Sequence, residues 1–140
     1  MRLFFLVIFV FGMLQADFTR VDDIVIDNEN GLEWQDDNEV GRITKRKWID
    51  AINYCEELTL GGKRDWRLPN QNELLSIVDY TSPEFPIASV FLYTNAEPYW
   101  SSTSFIGNLA DAWYVDFSFG EALTEHKNIE LFVRCVRGGE

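Results

Sequence analysis

The chain has 140 residues, a formal net charge of −11 and a hydrophobic content of 46%, of which aromatic residues supply an unusually large part. That charge argues against nucleic acid and sulfated polysaccharide as partners, because binding them relies on Lys and Arg displacing counterions. The length suits one domain with a real core and is too short for two comfortable ones.

At the N-terminus Arg2 precedes a nearly unbroken apolar run from Leu3 to Leu14, and Leu14-Gln15-Ala16 offers a small residue before Asp17. This predicts a signal peptide over residues 1–16 and export to the periplasm or the cell exterior. A helix crossing about 30 Å of hydrocarbon needs about 20 residues, so no membrane span is expected after leader cleavage. An uncleaved N-terminal anchor is the alternative. No linker, repeat or low-complexity tract divides residues 17–140, which are expected to form a single domain.

Asp23 to Asp27 and Leu32 to Gln35 read as a hairpin around the turn signal Asn28-Glu29-Asn30-Gly31. Asp36, Asp37 and Glu39 follow in what reads as a solvated polar loop. Trp48, Ala51, Ile52, Cys55 and Leu58 recur at helical spacing, with Thr44 as a candidate cap and Gly61-Gly62 as the stop. Pro69-Asn70-Gln71-Asn72-Glu73 predicts a second helix, capped by Asn70 with Glu73 returning a bond to the cap amide. From Tyr99 the period becomes two: Tyr99 to Thr103, Ala112 to Phe117, Glu121 to Thr124 and Leu131 to Arg137 are predicted strands. Two helices before a mainly antiparallel, twisted sheet make an α+β domain.

Cys55 and Cys135 are the two cysteines. In an exported chain an even count suggests a disulfide, two separate buried thiols being the alternative. His126 is the single histidine, which leaves no multi-histidine metal centre, and its polar loop reads as solvent-exposed. No acidic cluster has the spacing of a calcium loop. No metal, no cofactor and no catalytic residue is expected. The basic residues Arg42, Lys45, Arg46 and Lys47 read as a solvated helix start.

Two phrases are more specific than any single residue. One is Gly61-Gly62-Lys63-Arg64-Asp65-Trp66-Arg67-Leu68-Pro69-Asn70-Gln71-Asn72-Glu73-Leu74. The other runs from Tyr99-Trp100-Ser101-Ser102-Thr103 through Ala112-Trp113-Tyr114-Val115-Asp116-Phe117 to Val133-Arg134-Cys135-Val136-Arg137-Gly138-Gly139. With Gly31-Leu32-Glu33-Trp34-Gln35 they resemble the bacterial family named for the C-terminal domain of the Legionella collagen-like protein, over nearly the whole chain after the leader. The resemblance implies a C-type-lectin-like fold, distantly related to formylglycine-generating sulfatase modifiers, in which a first-helix cysteine bonds one in the last strand; Cys55 and Cys135 hold those places. It also implies a binding role, since the founding member is an adhesin for host polysaccharide. The formylglycine-generating enzymes use two active-site cysteines, and a disulfide here leaves none.

The expectation is therefore an exported, non-catalytic binding domain for a carbohydrate or protein ligand, held by loops on a rigid sheet. The candidate contacts are Tyr93, Asn95 and Glu97 in the segment before the Tyr99 strand, and Asn108, Asp111 and Trp113 around the following turn. Trp66, Arg67, Pro69, Glu73 and Trp100 are assigned structural roles, with Arg67 and Glu73 as an ion pair or cap network. Of Arg134 and Arg137, one is expected to meet a buried carboxylate. A structural or self-assembly domain is the second hypothesis, and a residual formylglycine-generating-like enzyme the third.

Overall fold

The computed structural model describes residues 17–40 and 44–139; the predicted signal peptide at residues 1–16 and Arg42 of the basic cluster lie outside them. The chain order is β1 (Phe18–Val21), β2 (Ile24–Asp27), β3 (Leu32–Gln35), α1 (Trp48–Glu57), α2 (Gln71–Leu75), β4 (Pro98–Ser104), β5 (Asp111–Asp116), β6 (Glu121–His126) and β7 (Val136–Gly138). In place of one sheet the described residues form two, a four-stranded one in the order β1-β2-β3-β7 and a three-stranded one in the order β4-β5-β6. All named strand pairs are antiparallel. The described residues are thus α+β, with two helices and antiparallel sheets.

Parity along the strands builds two cores. Val25, Trp34, Tyr99, Val115, Phe117, Phe132 and Val136 pack into one, together with Leu74 and Ile77 at and beyond α2. Ile24, Trp100, Ala112, Leu131, Val133 and Cys135 turn the other way and meet Ala51 and Cys55 of α1. Residues 131–136 are all buried. Strand alternation sends their odd members to the α1 side and their even members to the opposite core. The second core carries the Cys55–Cys135 disulfide, with Cα atoms 5.5 Å apart.

Several local details differ from expectation. Thr44 does not cap α1; Lys47 occupies that position without a side-chain cap bond. The residues before the helix are held extended instead, because Arg46 and Leu131 exchange backbone hydrogen bonds at 2.8 and 2.9 Å. Gly61 and Gly62 do not stop the helix, which ends at Glu57. Both have positive φ and form the tight turn closed by reciprocal Leu60 and Lys63 backbone bonds at 3.0 Å. The predicted strand from Leu131 narrows to Val136–Gly138, preceded by single bridges from Leu131 to Arg46 and from Phe132 to Tyr99. The strand β1 had no counterpart in the expectation.

The capping box of α2 forms as the sequence dictates: Asn70 accepts from the Glu73 amide at 2.8 Å, and Glu73 accepts from the Asn70 amide at 2.9 Å. Glu73 also takes both guanidinium nitrogens of Arg67 at 2.7 Å, while Arg67 reaches the Gly138 carbonyl at 2.8 Å. One carboxylate therefore joins the start of α2 to β7. Pro69 is buried, and its carbonyl accepts from Ser102 of β4. The buried indoles of Trp66 and Trp100 donate to the carbonyls of Lys63 and Arg46.

Candidate functional site

Asp36, read from sequence as part of a solvated loop, is fully buried. Arg134 explains the correction. Parity points its side chain into the first core, where a lone guanidinium would be costly, and Asp36 meets it at 2.8 Å. Arg134 also donates to the carbonyls of Gln35 and Tyr93 and to Thr94 Oγ1, at 2.5 to 2.7 Å, and lies 4.7 Å from the Phe91 ring centroid. Asp36 in turn accepts from the amides of Leu92 and Tyr93 and from the guanidinium of Arg20. Arg137 is the other half of the expectation: it faces outward and pairs with Glu33 and Asp65.

This network fixes the backbone of Tyr93 at both its N–H and its C=O, and leaves the residue 38% exposed. Arg20 lies 5.9 Å from the ring centroid. Beside the ring opens a groove of about 870 Å³ lined by Arg20, Asp22, Asp23, Ile26, Glu33 and Lys63, with Val21, Ile24, Leu60 and Gly61 completing its walls. The β1–β2 turn supplies Asp22, at φ 52, and Asp23. The Gly61-Gly62 turn comes so close that a Cβ on Gly61 would lie 2.6 Å from Ile24 Cδ1. The walls thus mix charged side chains with the apolar Val21, Ile24, Ile26 and Leu60, and carry one aromatic residue, Tyr93. That combination suits a small polar molecule with one flat apolar side.

Of the six residues singled out as ligand contacts, Tyr93 alone lines this groove. Asn95 turns inward: its Nδ2 is buried and its amide donates to Tyr99 Oη at 2.9 Å. Glu97 is exposed and pairs with Lys45 at 2.9 Å. Asn108, Asp111 and Trp113 are placed elsewhere. The β4–β5 register pairs Pro98 with Asp116 and Ser104 with Ala112, so the 93–97 segment and the 105–111 turn flank opposite ends of β4. Seven residues of strand separate those ends by roughly 20 Å. Asn108 accepts from the Ala110 amide within its own turn, and Trp113 packs edge-on against Phe105 at 5.7 Å.

Arg20, Asp22, Asp23 and Lys63 escaped the sequence reading. For Asp22 and Asp23 the signal was their dipeptide between two short β-rich runs, a two-residue hairpin connection less conspicuous than Asn-Gly; Lys63 reaches the groove only through folding. Burial pushes the Tyr99 hydroxyl above its ordinary range despite the nearby Arg134 charge. Burial likewise raises the Asp37 carboxyl, outweighing its hydrogen bonds from Gln35 and two amides, with Asp23 adding to the rise. Among the described residues no group of three or more His, Cys, Asp or Glu is arranged to hold a metal ion, and no helix is long and apolar enough to cross a membrane.

No curated protein matches the chain. A family model does, that of the Lcl C-terminal domain, over residues 23–137. The span takes in the β2–β3 hairpin, both helices, both cysteines and the Arg134 and Asp36 pair, so the chain belongs to the Lcl C-terminal domain family.

Proposed function

We propose that this chain is an exported, non-catalytic recognition domain of C-type-lectin-like fold, occupying residues 17–140, which takes a carbohydrate in the groove beside Tyr93. The observation that carries this reading is the mounting of Tyr93. A buried ion pair holds both backbone groups of one residue whose aromatic ring faces solvent at a groove rim. Charged groups so deeply buried are costly unless bonded; Arg134 Nε is left without a partner among the described residues, and four of the pair's other bonds go to residues 92–94, the segment that presents the ring. An indole or phenol face against a pyranose is a common basis of sugar recognition, with the exposed carboxylates of Asp22 and Asp23 placed to meet hydroxyls or other donors.

The fold assignment draws support from the link between the first helix and the chain beside the last strand, and from membership of the family. A disulfide supports export, because oxidising compartments keep such bonds formed. The reading as non-catalytic rests on chemistry. Both cysteines are bonded to each other, which removes the thiols that two-cysteine formylglycine chemistry needs. The single imidazole, His126, is exposed and accepts from the Asn128 amide in its own turn.

A glycan array probed with the oxidised protein and with its Tyr93→Ala variant tests the assignment. Saccharide binding that disappears in the variant, with the fold intact, supports it; binding indifferent to Tyr93 sinks it. One observation favours a second reading, self-assembly. Ile106 and Leu109, 92% and 69% exposed, cap the β4–β5 turn as an apolar tip. Light scattering on a chromatography column distinguishes the two, since an oligomer dispersed by Ile106→Asp would favour assembly.

A further inference from the structure

We propose that the ligand of the Tyr93 groove is an amino sugar, recognised through its protonated amine by Asp22 and Asp23. This rests on the assignment of the groove as the ligand site and adds the charge of what enters it.

Both signs of charge line the groove. Among the described residues its cations are Arg20 and Lys63, and both are already committed. Arg20 is bonded to the Asp36 carboxylate and carbonyl, and Lys63 Nζ lies 2.8 and 3.1 Å from the two oxygens of Glu33. Glu33 is doubly neutralised, because Arg137 reaches it as well. Asp22 and Asp23 are different. Both line the groove and are exposed at the β1–β2 turn, and among the described residues their carboxylates meet no cation and accept no hydrogen bond. The uncompensated charge at the rim is therefore negative, and the net charge of −11 extends the same sign over the molecule.

An anionic sugar would have to pull Lys63 or Arg20 from its partner and then sit against two free carboxylates. A neutral sugar leaves those carboxylates bonded only to water. An ammonium group finds two acceptors of opposite charge and is drawn toward them by the surrounding field. Tyr93 then selects the shape of the carrier. Its ring offers a flat apolar surface to a pyranose, in the same groove that Asp22 and Asp23 line. A lysine side chain could satisfy the carboxylates but has no flat face to lay on the phenol.

Titration calorimetry of the intact oxidised protein with a glucosamine tetramer, its fully N-acetylated counterpart and tetralysine tests the proposal. The amine-bearing tetramer should bind about tenfold more tightly than the acetylated one. The Asp22→Asn/Asp23→Asn variant should lose roughly that factor, the size expected of two exposed charges, and the preference should shrink in high salt. Asn tolerates positive φ, so position 22 should keep its backbone, and circular dichroism checks the fold. Equal binding of the two tetramers, both lost in Tyr93→Ala, overturns the amine while leaving the groove a sugar site. Tightest binding by tetralysine, indifferent to Tyr93→Ala, overturns the sugar in favour of a basic peptide. Failure of all three probes to bind also overturns the proposal, and the array separately decides whether the groove takes any saccharide.

Discussion

Arg134 donates to Asp36 at 2.8 Å across 98 residues of sequence, and neither side chain reaches solvent. Removing one partner of such a pair leaves the other charge buried and alone, which costs about 3–5 kcal/mol. Arg134→Met and Asp36→Ala are each expected to lose that much in urea unfolding. Arg134→Lys should recover little, because one ammonium cannot serve the Gln35 and Tyr93 carbonyls, Thr94 and Asp36 from their separate directions. A double-mutant cycle in which the two losses simply add would show that the pair does not act as a unit.

The same pair marks the limit of what could be read from residues alone. The capping box at Asn70 and Glu73 was legible because both halves lie within four residues and their spacing carries the geometry. Asp36 was not. Its partners are Arg20, the amides at 92 and 93, and Arg134, and only folding assembles them. The run from Leu131 to Arg137 was read as a strand on a period of two. Alternation put Arg134 and Arg137 on opposite faces without saying which turns inward, and single bridges replace a continuous ladder until β7. The groove was half legible: Tyr93 stood out as an aromatic in a long loop, whereas Asp22 and Asp23 belong to a turn whose first strand is four residues long.

The disulfide closes most of the domain into one loop, its two cysteines standing 80 positions apart in sequence. In the chain-entropy model a loop of that size restricts the unfolded chain by about 4.5 kcal/mol. The Cys55→Ala/Cys135→Ala variant should lose most of this in denaturant unfolding. Both positions sit in the α1 core, so the loss should come with little change in the native far-ultraviolet spectrum. A loss under about 1 kcal/mol would falsify the view that the link constrains the unfolded chain.

Acid should act through Glu73 and Asp37 in opposite directions. Burial alone would raise Glu73, but the Arg67 guanidinium and the Asn70 amide outweigh it and hold its carboxyl below the ordinary value of 4.5. A carboxyl depressed in the folded state contributes stability above its unfolded pKa and loses it as pH falls through the folded one. Asp37, raised from 3.8 chiefly by burial, does the reverse: its contribution is complete at low pH and fades as pH rises through its folded value. Glu73→Gln should therefore lower stability at pH 7 and flatten the acid limb of the stability profile, while Asp37→Asn should raise stability at pH 7 relative to pH 3. Urea midpoints measured between pH 2 and 7 check both signs, and an unchanged acid limb in Glu73→Gln would contradict the first.

Gly138 and Gly62 share a positive φ but differ in what surrounds them. At Gly62, φ +74, an added Cβ meets nothing within 4 Å, whereas at Gly138, φ +85, it would lie 2.4 Å from the Gly31 carbonyl oxygen. Backbone cannot swing aside as a flexible side chain can, and Gly31 closes the turn between β2 and β3. Gly138 also pairs with Leu32 and gives its carbonyl to Arg67, so any shift of β7 disturbs the capping network at α2. Gly62→Ala should therefore cost only the conformational strain, about 1–2 kcal/mol. Gly138→Ala should cost clearly more, and 15N chemical-shift changes should spread from Gly31 to Glu73. Equal losses for the two variants in urea would mean that β7 yields at its end and that the contact with Gly31 does not hold the closing strand in place.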